Sequence, residues 1–174
     1  MSNKIILKKK IKNFDKKIFI PGDKSLSIRW VLISSLSSGV SKAQNLLLSE
    51  DVIAALKSVR KLGVKVFYNK KICKIYGVGI SGYRYRKGIT INAQNSGTLA
   101  RLMPGLIIDS PIPIKIIGDK SLSKRDFKRI ADPLKQFGAN FSLKNGFGLP
   151  LIMRGSKKLK PIKFFEKKGS AQVK

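Results

Sequence analysis

Three short stretches of this sequence carry residues that can hold an anion at the start of a helix. They read "GDKSLSIR" from Gly22, "QNSGTLAR" from Gln94 and "GSAQVK" from Gly169. Small Gly, Ser and Ala residues let backbone N–H groups approach a ligand closely, and the positive end of a helix dipole favours negative charge. We therefore take these three turns as candidate phosphate or carboxylate sites.

Basic side chains accompany two of these turns. Lys24 adds a point charge to the first, and Arg29 and Arg101 follow about one helical turn later, where a guanidinium can fork onto phosphate or carboxylate. Simpler interpretations exist, because Ser25 is also a suitable helix N-cap and Gly97 a suitable turn residue. One such turn is weak evidence, whereas three in phase with a repeat are stronger evidence.

The hydrophobic pattern predicts the elements that position these turns. The first half reads as a strand at 17–21, a helix at 25–39, a strand at 42–48, a helix at 50–63 and paired strands at 64–68 and 73–79. The second half reads as a strand at 89–93, a helix at 96–110, a strand at 113–118, a helix at 123–139 and paired strands at 140–144 and 149–155. Both halves follow the order βαβαββ.

Local signals mark the helix boundaries in this prediction. Gly39 ends the first helix, Ser49 caps the second, and Gly63 is the C-terminal residue expected after it. Pro104 and Pro133 fall inside predicted helices, where each implies a kink or a weak point.

Matching positions in the two halves indicate an internal repeat. Arg29 matches Arg101, Asp51 matches Asp126 and Gly63 matches Gly138. In this register the second "GDKSLS", at 118–123, corresponds to "NLLLSE" at 45–50 and not to the first hexapeptide at 22–27. We expect the identical hexapeptides to share a local turn but not a role, with Lys120 and Ser121 acting as scaffold. The stretch "GSAQVK" would open a third unit, so we expect a longer protein.

Composition limits the chemistry that is available. The 174 residues carry a net charge of +28, contain no histidine and include a single cysteine, Cys73. A Ser-His-Asp triad, a His-based zinc site and an internal disulfide are therefore excluded, and we expect neither metal nor cofactor. No apolar run is long enough to span a membrane and no secretory signal is present, which favours the cytoplasm. The positive charge fits small anionic substrates or nucleic acid.

The motifs "PGDKSLSIR", "NSGTLAR", "GDKSLSKR" and "GSAQVK" resemble those of the 5-enolpyruvylshikimate-3-phosphate synthase family, from Phe19 to Lys174. The resemblance implies an α/β (α+β type) fold of repeated βαβαββ units in an inside-out barrel, here truncated. It implies one domain at 19–174, with units at about 19–80 and 88–155 and the start of a third. Residues 1–18, with a strand around Ile5–Leu7, would belong to an otherwise absent second domain.

The family transfers the enolpyruvyl group of phosphoenolpyruvate to the 5-hydroxyl of shikimate 3-phosphate and releases phosphate. The resemblance implies catalytic roles for Lys24 and Arg125. It assigns shikimate 3-phosphate to Lys24, Ser25, Arg29, Ser170, Ala171 and Gln172. It assigns phosphoenolpyruvate to Lys24, Gly97, Arg125 and Gln172, with Arg101 in support. It also implies a monomer when the protein is full length.

The sequence departs from the family pattern at two positions. Asp126 follows Arg125 where the family usually has proline, and its carboxylate could draw that arginine away from substrate. Ile28 stands where a polar residue is common. The family's acidic residues from its second domain lie beyond Lys174, so we expect the 174 residues alone to be inactive.

Other functions remain as alternatives. A UDP-N-acetylglucosamine enolpyruvyl transferase-like enzyme would need a nucleophilic cysteine in a loop, but Cys73 falls in a predicted strand. A basic nucleic-acid-binding module would use the net charge, although the 14 aromatic residues fall mostly in core-like positions without a stacking platform, which disfavours nucleic acid. A degenerate, catalytically dead fragment is a third alternative.

Overall fold

The computed structural model describes residues 6, 8, 10, 13, 15–165, 169, 172 and 173. The helices are α1 (Lys24–Leu36), α2 (Glu50–Lys61), α3 (Gly97–Leu106) and α4 (Lys128–Gln136). The strands are β1 (Ser38–Gln44), β2 (Lys65–Tyr68), β3 (Ile72–Val78), β4 (Thr90–Asn92), β5 (Ile114–Ile117), β6 (Asn140–Lys144) and β7 (Gly148–Arg154). A 3₁₀ turn at Leu122–Lys124 precedes α4.

Two sheets with the same connectivity make the repeat visible. The first has the order β1-β3-β2 and the second has the order β4-β5-β7-β6. In each sheet the last two strands form an antiparallel hairpin, and the strand between the two helices pairs with the last strand. β4 adds a parallel edge to β5 in the second sheet only. The predicted α/β fold of repeated units is confirmed.

The strand predicted at 17–21 is absent from the described structure, which is a correction. Ile18, Phe19 and Ile20 are 69%, 84% and 68% exposed. In the second sheet β4 pairs with β5, but in the first sheet no strand of the described residues pairs with the corresponding side of β1. A β-branched run becomes a strand only where a neighbour accepts its backbone hydrogen bonds. Asn45 Nδ2 donates to the Ile20 carbonyl oxygen at 3.1 Å, so this segment is held at its end instead. The strand expected around Ile5–Leu7 lies outside the described residues apart from Ile6, which is in no strand.

The boundary between α1 and β1 also differs from the prediction. α1 ends at Leu36, and Gly39 lies inside β1 with a φ of 85° instead of ending the helix. β1 starts at Ser38, opposite Val78, and stops at Gln44 rather than continuing to residue 48. Pairing with β3 along its whole length sets these limits, since the sequence of β1 contains few strand-forming residues.

The predicted helix at 123–139 is interrupted. Arg125 has extended backbone angles (φ −78°, ψ 153°), and α4 starts only at Lys128. Asp126 Oδ1 accepts a hydrogen bond from the Lys128 backbone N–H at 2.7 Å, a local turn that competes with continued helix. Pro104 and Pro133, in contrast, both lie inside helices that continue past them.

One hydrophobic core joins the two units. It includes Ile28 and Leu32 of α1, Leu56 of α2 and Leu99 and Met103 of α3, all at most 1% exposed. The connecting segment 79–89 adds two polar links, one to α1 and one to the residues that follow α3. The Tyr83 and Ser35 hydroxyls lie 2.5 Å apart, and the Tyr85 hydroxyl donates to Asp109 Oδ1 at 2.5 Å. The units therefore meet through buried helices whose first residues belong to the candidate anion turns.

Candidate anion-binding site

The two identical hexapeptides form the same local turn. Asp23 Oδ1 accepts from the Leu26 backbone N–H at 2.7 Å, and Asp119 Oδ1 accepts from the Leu122 backbone N–H at 2.7 Å. This is the N-cap geometry, in which a side-chain oxygen satisfies an N–H group that has no partner within the helix.

The two copies diverge after the cap. The first opens the 13-residue helix α1, whereas the second opens only the three-residue 3₁₀ turn. Ile28 follows the first copy and is fully buried, so burial against the core favours continued helix. Lys124 and Arg125 follow the second copy and are exposed, and the Asp126 turn then ends the segment.

Lys24 is placed at the start of α1 by the first copy. Its Nζ lies 3.2 Å from Asp51 Oδ2 in the first turn of α2. Ser25 and Arg29 lie on the first turns of the same helix and are half-buried. This cationic group therefore stands where the dipole of α1 also favours an anion.

Arg101 and Arg125 converge over Gly97 at the start of α3. A Cβ atom added to Gly97 would stand 2.9 Å from Arg101 Nη1 and 3.1 Å from Arg125 Nη1. Ser96 caps α3 by accepting from the Leu99 backbone N–H at 3.2 Å. Two guanidinium groups and a helix N-terminus thus meet at one point, an arrangement that recognises phosphate or carboxylate.

Arg101 lies in a crowded and partly desolvated position. Its guanidinium carbon is 5.3 Å from the centre of the Phe127 ring, and its Nη1 donates to Gln172 Oε1 at 3.4 Å. Its Nε is buried without a hydrogen-bond partner in the described structure. Burial lowers the pKa of Arg101, as do the charges of Arg129 and Arg125, while Asp126 acts in the opposite direction. An anion bound here would offset both the burial and the repulsion between cations.

The second hexapeptide supports the Gly97 turn. Asp119 Oδ2 accepts from Asn95 Nδ2 at 2.5 Å, and the Asp119 backbone N–H donates to the Gln94 carbonyl oxygen at 2.8 Å. The hydrogen bond from the Leu122 N–H is the largest cause that lowers the pKa of Asp119. Lys120 and Ser121 are exposed and make no side-chain hydrogen bond in the described structure, and their role as scaffold stays a prediction.

Asp126 does not draw Arg125 away from the site, contrary to the sequence expectation. No ion pair joins these two residues in the part of the chain that the structure describes. The Asp126 carboxylate faces the start of α4 instead. Ser170 and Ala171 lie outside the described residues, whereas Gln172 reaches Arg101 as stated above.

Sequence reasoning missed Asp51 and Arg129. The sequence pattern marks Asp51 only as a repeat position, yet it is the ion-pair partner of Lys24. Arg129 lies in the first turn of α4 and contributes the largest like-charge effect on Arg101. The repeat offered a signal for Asp51, because its counterpart Asp126 also lies at the start of the second helix of a unit.

The aromatic residues are less buried than the sequence indicated. Phe127 is fully buried and Tyr83 is 6% exposed, while Phe67 and Tyr76 are exposed on the outer face of the first sheet. Four more aromatic residues are partly buried against the core: Trp30, Tyr68, Tyr85 and Phe141. Lys65 Nζ stands 5.1 Å from the centre of the Tyr76 ring. The aromatic residues thus divide between the core and the surface, and nucleic acid is kept as an outcome of the binding experiments below.

Two features are absent among the described residues. Their His, Cys, Asp and Glu side chains form no group of three that could hold a metal ion. None of their helices is long and apolar enough to cross a membrane.

Comparison with known proteins decides the family. Residues 8–174 match the family model of EPSP synthase (3-phosphoshikimate 1-carboxyvinyltransferase). The chain belongs to the EPSP synthase family. It is 40% identical over 167 residues to the 3-phosphoshikimate 1-carboxyvinyltransferase of Desulforamulus reducens, covering 94% of this chain and 38% of that protein. It is 38% identical over 169 residues to that of Streptococcus suis, covering 97% of this chain and 39% of the relative.

A solved EPSP synthase has the same fold. The structure from Acinetobacter baumannii superimposes with a TM-score of 0.84 at 32% identity, covering 91% of this chain and 36% of that one. The chain thus spans somewhat more than a third of the length of the EPSP synthases that it matches.

Proposed function

We propose that this chain supplies one wall of an enzyme that transfers the enolpyruvyl group of phosphoenolpyruvate to the 5-hydroxyl of shikimate 3-phosphate. The observation that carries the proposal is the convergence of Arg101 and Arg125 over Gly97, beside a helix N-terminus. Both substrates are anions, so both need cations and backbone donors at fixed positions.

The residues divide between the two substrates. Ser25 and Arg29, on the first turns of α1, hold shikimate 3-phosphate together with Ser170, Ala171 and Gln172. Gly97 and Arg125 hold phosphoenolpyruvate, and Arg101 supports them through its bond to Gln172. Lys24 contacts both substrates.

The reaction is an addition followed by an elimination. The 5-hydroxyl group loses its proton and its oxygen bonds to C2 of phosphoenolpyruvate while C3 gains a proton, which gives a tetrahedral intermediate. The bond from C2 to the phosphate oxygen then breaks, C3 loses a proton, and phosphate leaves. Lys24 and Arg125 offset the negative charge of the phosphate as it leaves, and Lys24 can move a proton there. The acidic residues for the remaining proton transfers come from a second domain.

The domain organisation follows from the same proposal. Residues 19–174 form one domain, with units at about 19–80 and 88–155 and the start of a third. Residues 1–18 lead into the second domain, which closes a cleft over the anion turns. The full-length enzyme is a cytoplasmic monomer that works without metal or cofactor, and the 174 residues alone are inactive.

The geometry of Cys73 disfavours the UDP-sugar alternative. Its thiol is 1% exposed inside β3, and burial raises its pKa to about 11. A cysteine nucleophile needs the opposite, an accessible thiol with a lowered pKa.

Titration with shikimate 3-phosphate tests the proposal on the chain itself. We expect its amide NMR signals from Lys24, Ser25 and Arg29 to shift, and shikimate without the phosphate to shift them far less. Lys24→Met should weaken binding, whereas Lys42→Met, which removes the same charge from the exposed face of β1, should not. Unchanged signals, together with tight and steeply salt-dependent binding of single-stranded RNA, would favour the nucleic-acid alternative.

A further inference from the structure

We propose that Asp51 is a positioning residue that holds the Lys24 ammonium group at the start of α1. The proposal rests on the proposed function, which places Lys24 against both substrates. Asp51 Oδ2 lies 3.2 Å from Lys24 Nζ, and the two residues belong to different helices, α2 and α1. The contact therefore fixes a side chain relative to the fold and not only to its own helix.

The two side chains differ in exposure, and this difference decides which of them positions the other. The Asp51 side chain is only 18% exposed, whereas that of Lys24 is 54% exposed. Asp51 also lies in the first turn of α2, where the helix dipole favours its negative charge. The shorter and more buried carboxylate is the fixed partner, and the flexible lysine chain adapts to it.

The second unit has only a weaker counterpart of this pair. Asp126, which matches Asp51 in the repeat, precedes α4 as Asp51 opens α2. Its charge favours the cationic form of Arg101, which lies on the first helix of its unit as Lys24 does. Arg101 matches Arg29 and not Lys24 in the repeat, and no ion pair joins it to Asp126 among the described residues, so the contact between Lys24 and Asp51 is specific to the first unit.

Placement is the main consequence of the Lys24–Asp51 pair. An ion pair with a half-exposed lysine adds little to folding stability. A free lysine side chain must lose rotamer freedom when it contacts a ligand, so a lysine held in advance loses less on binding. Neutralising Asp51 should therefore leave the fold intact and release the ammonium group.

Relaxation of lysine ε-methylene carbons measures this placement directly. With ¹³C-labelled lysine, we expect the ε-carbon of Lys24 in the wild-type chain to be more ordered than that of the exposed Lys42. Asp51→Asn should lower the order of the Lys24 ε-carbon to that of Lys42. Glu50→Gln, which removes a charge from the same helical turn, should leave it unchanged. Equal order of Lys24 in the wild type and in Asp51→Asn would overturn the proposal.

Affinity for shikimate 3-phosphate supplies a second, independent readout. We expect Asp51→Asn to weaken binding about fivefold, and this effect to disappear in a Lys24→Met background because the two residues act as a pair. An equal loss in both backgrounds would contradict positioning through Lys24. If the wild-type chain does not bind this ligand, the proposed function fails, and the relaxation measurement alone decides the role of Asp51.

Discussion

The Nη1 atoms of Arg101 and Arg125 meet over Gly97, at 2.9 and 3.1 Å from the position of an added Cβ atom. Arg101 belongs to α3, whereas Arg125 follows the 3₁₀ turn after β5. The absence of a side chain on Gly97 is what allows both guanidinium groups to approach the same helix N-terminus.

Gly97→Ala should impair anion binding without destabilising the protein. The added methyl group would displace the ends of two flexible arginines, while alanine is the better helix former by roughly 0.5–1 kcal/mol. We expect affinity for phosphoenolpyruvate to fall about tenfold, since two charge-assisted hydrogen bonds lose their geometry. Calorimetric titration and urea unfolding measure the two effects.

Gly105→Ala is the matched control for that substitution. It lies in the same helix, and a Cβ atom there would meet nothing within 4 Å. It should stabilise the protein by about 0.5–1 kcal/mol and leave the affinity unchanged. Equal affinities of the wild type and of Gly97→Ala would refute the role given to the glycine.

Arg125→Ala should remove the stabilisation that phosphate gives to the protein. The wild type should melt at a higher temperature in phosphate than in chloride of equal ionic strength, because a ligand that binds only the native state stabilises it. Arg125 repels Arg101 and is exposed, so its loss should change stability in chloride by about 0.5 kcal/mol or less. Lys124→Ala, which removes the neighbouring charge, should still melt at a higher temperature in phosphate than in chloride. If both variants lost this difference in melting temperature, general charge screening would explain it instead.

Stability should decrease as the pH rises above about 9. Burial raises the pKa of Cys73 from 9.0 to about 11 and that of Tyr83 from 10.0 to about 12, so the folded state retains protons that the unfolded state loses. These groups contribute full stability below the unfolded pKa values and lose it as the pH passes through the folded ones. For Cys73 the loss is up to about 2 kcal/mol. Urea unfolding between pH 7 and 11 measures it, and Cys73→Ala should flatten the curve between pH 9 and 11.

Substitution of the two hexapeptide aspartates, Asp23 and Asp119, should affect the Asn95–Gly97 turn differently. Asp23→Ala removes the N-cap of α1 and should cost about 1 kcal/mol of unfolding free energy, and Asp119→Ala should also lower that free energy. Only Asp119→Ala also removes the bond to Asn95, so it should shift the NMR signals of the Asn95–Gly97 turn. Matching shifts in that turn with Asp23→Ala would contradict this assignment.

Most of the fold could be predicted from local patterns. The αβαββ order of both units, the strand β4 before the second unit and the hairpins β2–β3 and β6–β7 follow from side-chain periodicity and helix-boundary residues. The strand at 17–21 could not be rejected in this way, because a strand exists only where another strand pairs with it. The interruption at Arg125 was missed as well, because helical periodicity outweighed the turn made by Asp126.

The sequence by itself determined the local chemistry of the site. It placed Asp, Lys and Ser at strand-to-helix turns, and the identical hexapeptides do form identical caps, because capping depends on residues only three positions apart. The tertiary structure alone decided which side chains meet. Arg101 and Arg125, and likewise Lys24 and Asp51, come together because long charged side chains take positions set by helices packed on a common core.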